Sequence, residues 1–75
     1  MNNDRRKMIT AATTAITDAI VDLETATDEE REYYDNMPEG IQLSEKGERA
    51  DEVVCELENI VSELQDFEER IMELI

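Results

Sequence analysis

Apolar residues in the second half of the chain recur at alternating steps of three and four: Ala50, Val53, Leu57, Ile60, Leu64, Phe67, Ile71 and Leu74. An unbroken run of this kind predicts an α-helix with a heptad repeat, because i, i+3, i+4 and i+7 share one helix face. With these residues as heptad positions a and d, the e positions hold Val54, Val61, Glu68 and Ile75. An a/d/e stripe is wider than a two-helix seam needs, so the helix is expected to touch more than one neighbour. The first half repeats the pattern in smaller residues: Ile9, Ala12, Ile16, Ala19, Leu23, Ala26, Glu30, Tyr33 and Met37, with Ile20 and Tyr34 at e.

The boundaries follow from local chemistry. Asn3 or Asp4 can cap the first helix, and Asn36 can close it in the left-handed conformation before Pro38 forbids continuation. Ser44 is the natural N-cap of the second helix and Glu45 suits its first turn, although Gly47 could delay the helix to Glu48. The expectation is one domain, residues 1–75, with a helix over about 4–36, a turn at 37–44 and a helix over about 45–75. A connection this short makes the helices antiparallel neighbours, so the fold class is all-α, a coiled-coil-like two-helix hairpin. Folding about residues 38–43 sets Ala11 to Ala19 opposite Leu64, Phe67 and Ile71, and brings Arg5, Arg6 and Lys7 towards Glu69 and Glu73. One hairpin leaves each wide stripe partly wet. Pairing two hairpins as a homodimeric four-helix bundle covers both.

Composition narrows what such a hairpin can do. A chain of 75 residues buries little core without a staple, and one cysteine with no histidine offers neither an internal disulfide nor the common zinc clusters. The net charge is −14, and it is uneven: residues 1–27 carry three bases and four acids, residues 28–75 four bases and 17 acids. Direct binding to nucleic acid or to an anionic membrane needs a basic face, so neither is expected. No apolar run resembles a signal peptide or a membrane span, which points to a reducing cytoplasm.

Catalytic inventories are thin. Without histidine there is no Ser-His or Cys-His pair, and Gly40 and Gly47 form no phosphate loop. Cys55 falls at an f position, away from the seam, with nothing basic spaced to activate it. The carboxylates Glu29, Glu30 and Glu32 before the turn and Glu48 and Asp51 after it resemble the magnesium-binding layout of MazG-type nucleotide pyrophosphohydrolases. Only Glu30 points into the predicted seam, where it reads better as a register-fixing polar residue reaching Arg49 or solvent under Tyr33 or Tyr34. Neither an enzyme nor a bound cofactor or metal is the expectation.

The segment Tyr33-Tyr34-Asp35-Asn36-Met37-Pro38-Glu39-Gly40-Ile41-Gln42, then Ser44-Glu45-Lys46-Gly47-Glu48 and an acidic heptad helix, resembles small proteins encoded by phages and prophages. The resemblance covers roughly residues 28–75 and implies an accessory protein acting in a bacterial host cytoplasm, with inhibition of host defence or nucleic-acid-handling proteins as one such role. On this reading the outward acids Asp51, Glu52, Glu56, Glu58, Glu63, Asp66, Glu69 and Glu73 bind a protein partner with a basic surface. The alternative is a structural or assembly adaptor that binds through the apolar e-side stripe at Val54 and Val61.

Overall fold

The computed structural model describes all 75 residues and contains three helices: α1 (Asn3–Asp35), α2 (Glu39–Gln42) and α3 (Glu45–Met72). The long α1 and α3 pack together as a rod of 58 × 15 × 12 Å. Their direction is read from cross-helix partners. Thr17 donates to the Glu68 carboxylate at 2.6 Å, Gln65 Nε2 to Glu24 at 3.4 Å, and Arg31 pairs with Glu58. Residue numbers rise along α1 as they fall along α3, so the pair is an antiparallel hairpin.

Asn2 caps α1, one residue before the expected caps, its side chain accepting from Arg5 N at 2.8 Å. α1 closes at Asn36, whose φ of −83° is right-handed, so no left-handed residue is spent there. A further turn of helix, α2, occupies the expected loop. Gln42 Nε2 donates to Tyr34 O at 3.0 Å and ties this turn to the end of α1. Ser44 caps α3 through its backbone geometry, while its hydroxyl donates back to Ile41 O. Threonine suits the interior of α1 because its hydroxyls bond carbonyls one turn back; Thr13 donates to Ile9 and the buried Thr27 to Leu23. No buried side-chain polar atom lacks a partner.

Gly47 corrects the expectation that a poor helix former delays α3. It is buried in the first turns of the helix, against the backbone of Gln42, where an added Cβ would collide. Glycine is there for close approach, and the rest of the turn is built around it.

That contact has a consequence for the whole hairpin. The residues withdrawn from solvent on α3 follow the line Gly47, Ala50, Val54, Leu57, Val61, Leu64, Glu68, Ile71, with Val53 and Ile60 half-buried beside it. On α1 they follow Ile9, Thr13, Ile16, Ile20, Leu23, Thr27, Glu30, Tyr34, Met37. Both lines are a and e positions, the a/e part of the wider a/d/e stripe that the apolar periodicity predicts. Gly47 lies on the e line of α3, seven residues before Val54, so seating it on Gln42 turns that line towards α1. Towards the free end the d positions are rotated out, while Val53 and Ile60 stay half-buried. Phe67, expected in the seam opposite Ala11 to Ala19, is 49% exposed and Leu74 is 65% exposed.

The expected ionic contacts of the free end are absent. Arg5, Arg6 and Lys7 make no salt bridge, and Arg6 reaches only Asn3 at 3.5 Å. Thr17 sits level with Glu68, and Arg5 lies twelve residues further out, about 18 Å along the axis at 1.5 Å per residue. Glu73 is only five residues beyond Glu68, about 7–8 Å. The first turns of α1 therefore overhang the end of α3.

Candidate functional site

The rotation gives the hairpin two unlike sides. In an antiparallel pair that meets through a and e, the b positions of both helices fall on one side and the d positions on the other. The b side is latched. Thr17, Glu24 and Arg31 of α1 reach across it to Glu68, Gln65 and Glu58 of α3. Arg31 also lies 3.6 Å from Asp28. Glu24, Asp28, Arg31 and Glu58, with Thr27 and Val61, rim a shallow polar groove.

The d side has no latch. It presents Ala12, Ala19, Ala26 and Tyr33 from α1 beside Val53, Ile60, Phe67 and Leu74 from α3. The alanines, Tyr33, Phe67 and Leu74 are exposed, and Val53 and Ile60 are half-buried. The flanking g positions hold Met8, Ala15, Asp22 and Glu29 on α1, and Arg49, Glu56, Glu63 and Arg70 on α3. The Arg70 guanidinium lies 5.7 Å from the centre of the Phe67 ring, a cation–π contact on this face. Lys46 stands 5.6 Å from the Tyr33 ring at its other end.

The eight acids proposed as a partner surface are all exposed, but they do not share one face. Asp51 and Glu58 are b residues beside the latched seam. Glu52, Asp66, Glu73 and Glu69 lie on the outer c and f positions. Glu56 and Glu63 are g residues bordering the apolar side. Two of the eight are paired within the chain, Glu58 with Arg31 and Glu52 with Arg49 at 3.5 Å. The second pairing removes Arg49 as the partner of Glu30, one of the two alternatives expected for it, the other being solvent. Glu30 is half-buried in the seam as expected, with Tyr34 also half-buried and Tyr33 turned outward.

The adaptor reading also changes surface. Val54 is 7% exposed and Val61 half-buried, both on the line that faces α1, so the e stripe is consumed by the hairpin itself. Counting apolar residues alone concealed this, because the true seam includes Thr13, Thr27, Gly47 and Glu68. Cys55 is exposed, as its f position requires. Glu29, Glu32, Glu48 and Asp51 point to solvent and join no group of three or more metal-binding side chains. No helix is long and apolar enough to cross a membrane. Comparison with protein-family models, curated proteins and solved structures returns no match.

Proposed function

We propose that the chain is a phage-derived, acidic protein–protein interaction module that occupies a basic surface on a host defence or nucleic-acid-handling protein in the bacterial cytoplasm. It acts as a pair of hairpins associated into a four-helix bundle, without catalysis. The observation that carries this reading is unneutralised charge. The chain has 21 acids, yet only three side-chain ion pairs form within it. Spread over a 58 Å rod, −14 amounts to one net negative charge per about 4 Å. Two rods side by side reach about one per 2 Å, close to the ~1.7 Å of duplex DNA. A protein site built to hold a polyanion would meet a comparable field.

The test is salt-dependent capture from a bacterial lysate, repeated with Asp51, Asp66, Glu69 and Glu73 changed to Lys. None of these four belongs to the seam or the apolar side. The expected result is a partner retained at 0.1 M salt, released at 1 M as the Debye length falls from about 10 to about 3 Å, and lost with the reversals. A partner held equally by the reversed protein at high salt overturns the reading. The adaptor alternative now belongs to the exposed Phe67 and Leu74 rather than to Val54 and Val61. It is favoured if Phe67→Ser releases that salt-resistant partner.

A further inference from the structure

We infer that the apolar side of the hairpin is the contact surface for a second copy of this chain laid on it end for end, with the two-fold axis passing close to Ala19 and Phe67. This rests on the two-hairpin bundle proposed above and specifies which face pairs, in which direction and in which register.

The need for cover comes from burial. Only six of 75 residues are buried and no large side chain is fully enclosed, a thin core even for a chain of this length. The one side where apolar d positions run the length of both helices without a cross-helix latch is the side that remains open. A second copy offers the same surface, and a two-fold contact requires self-complementarity.

Charge selects the direction. Stacking two such faces about an axis along the rod puts both free ends together, Arg5, Arg6 and Lys7 of each copy side by side. It also gathers both turn ends. Residues 28–50 hold eight acids and three bases, net −5, whereas the free end, residues 1–17 with 68–75, holds four acids and four bases, net 0, three of the bases lying in the overhang. Turning one copy end for end sets each basic overhang against the acidic turn half of the other. That replaces two repulsions with two attractions.

Charge also selects the register. About an axis at Ala19, Ala12 meets the partner's Ala26, and Arg6 comes level with the partner's Glu32. On α3, Phe67 lies within a turn of the height of Ala19, as the contacts of Thr17 with Glu68 and of Glu24 with Gln65 require. Phe67 then meets its own counterpart, Ile60 meets the partner's Leu74, and Glu63 faces the partner's Arg70. Sliding the partner one heptad towards the turn brings Glu56 to Arg70 but sets Glu63 and Asp22 each against its own counterpart, and a slide of two heptads opposes Glu56 to Glu63 and Arg49 to Arg70, like against like. Sliding it one heptad the other way sets Arg70 against its own counterpart and leaves Glu63 without a partner. The alanines of α1 allow the two copies of that helix to approach closely.

Disulfide trapping tests this. In a Cys55→Ser background, Ala19→Cys and Phe67→Cys are each oxidised and run without reductant, with sedimentation reporting the mass before oxidation. The expected result is a dimer in solution and conversion of each variant to a species of twice the chain mass. The parent protein, whose Cys55 points outward, stays uncrosslinked. A dimer that joins position 19 to position 67 of the partner, seen only in the double variant, overturns the end-for-end arrangement and leaves the bundle standing. A monomer at high micromolar concentration overturns both. A charge exchange provides the second reading. Glu63→Arg alone and Arg70→Glu alone each weaken the dimer, on the order of tenfold, since the pair occurs twice per dimer at up to ~1 kcal/mol each. The double exchange restores it. Unchanged affinity in both single variants overturns the register.

Discussion

The half of the hairpin near the turn and the half near the free ends are built from the same heptads, yet they are packed differently. Thr27, Met37, Gly47, Ala50 and Val54 are buried in the turn half, and Ile20, near the middle, is the only buried residue beyond them. In the free half Met8, Phe67, Met72 and Leu74 are all exposed, and the seam admits a carboxylate, Glu68, held by the Thr17 hydroxyl. The difference comes from residue size and covalent connection. Gly47 and Ala50 let α3 close on the turn, where Met37 is also buried, so that end packs within one chain. The free ends have no connection to hold them and larger side chains to cover. The turn half holds five of the six buried residues, with Tyr33, Ile41 and Leu43 left exposed around them, and the free half is almost wholly uncovered.

The largest effect expected from breaking this comparison is at Gly47. A methyl group there meets the Gln42 backbone, which cannot yield as a side-chain tip would. Gly47→Ala should therefore destabilise by ~2–3 kcal/mol, the upper part of the range for overpacking, despite the better helix propensity of alanine. Gly40 has nothing within 4 Å of the same added group, so Gly40→Ala should be neutral or stabilise by up to ~1 kcal/mol. Thermal unfolding followed by circular dichroism compares the two. Equal midpoints would show that the close approach at the turn does not fix the rotation of α3.

A smaller effect separates the halves directly. Val54→Ala removes two buried methyl groups from the turn end and should cost ~2 kcal/mol at any protein concentration. Phe67→Ala removes a half-exposed ring from the open end. Its cost to the isolated hairpin should be well under that of Val54→Ala, but it should abolish the rise of the melting midpoint with concentration that a dimer shows. Melts at low and high micromolar concentration distinguish the two behaviours. A concentration-independent loss at Phe67 as large as that at Val54 would mean the ring belongs to the internal core after all.

The hairpin, its antiparallel sense and the approximate ends of both long helices were legible in the heptads and in Pro38 and Ser44. The rotation of the helices was not. A pattern of apolar residues reports a stripe about three positions wide, and a, d and e all qualify. What chooses e over d is a glycine seated on a backbone five residues earlier, together with Thr27 and Glu68, which no count of apolar positions includes. For the same reason the acids were legible as exposed but not as dispersed, since their faces depend on that rotation. The missing contacts of Arg5, Arg6 and Lys7 depend on helix offset, which the turn sets and the periodicity leaves open.

The smallest effect is expected on the latched side, where Arg31 and Glu58 face each other across the seam. Their side chains are about half exposed, so solvent screens the attraction, and removing either partner should cost under ~1 kcal/mol. Arg31 also touches Asp28 on its own helix, so Arg31→Ala should cost slightly more than Glu58→Ala. A double-mutant cycle isolates the cross-helix share, and its coupling should shrink as salt rises from 0.1 to 1 M. Coupling that is large and salt-independent would mean the pair is shielded by another surface. In that case the latched side, rather than the apolar one, would be where a second molecule sits, because nothing within the single hairpin covers Arg31.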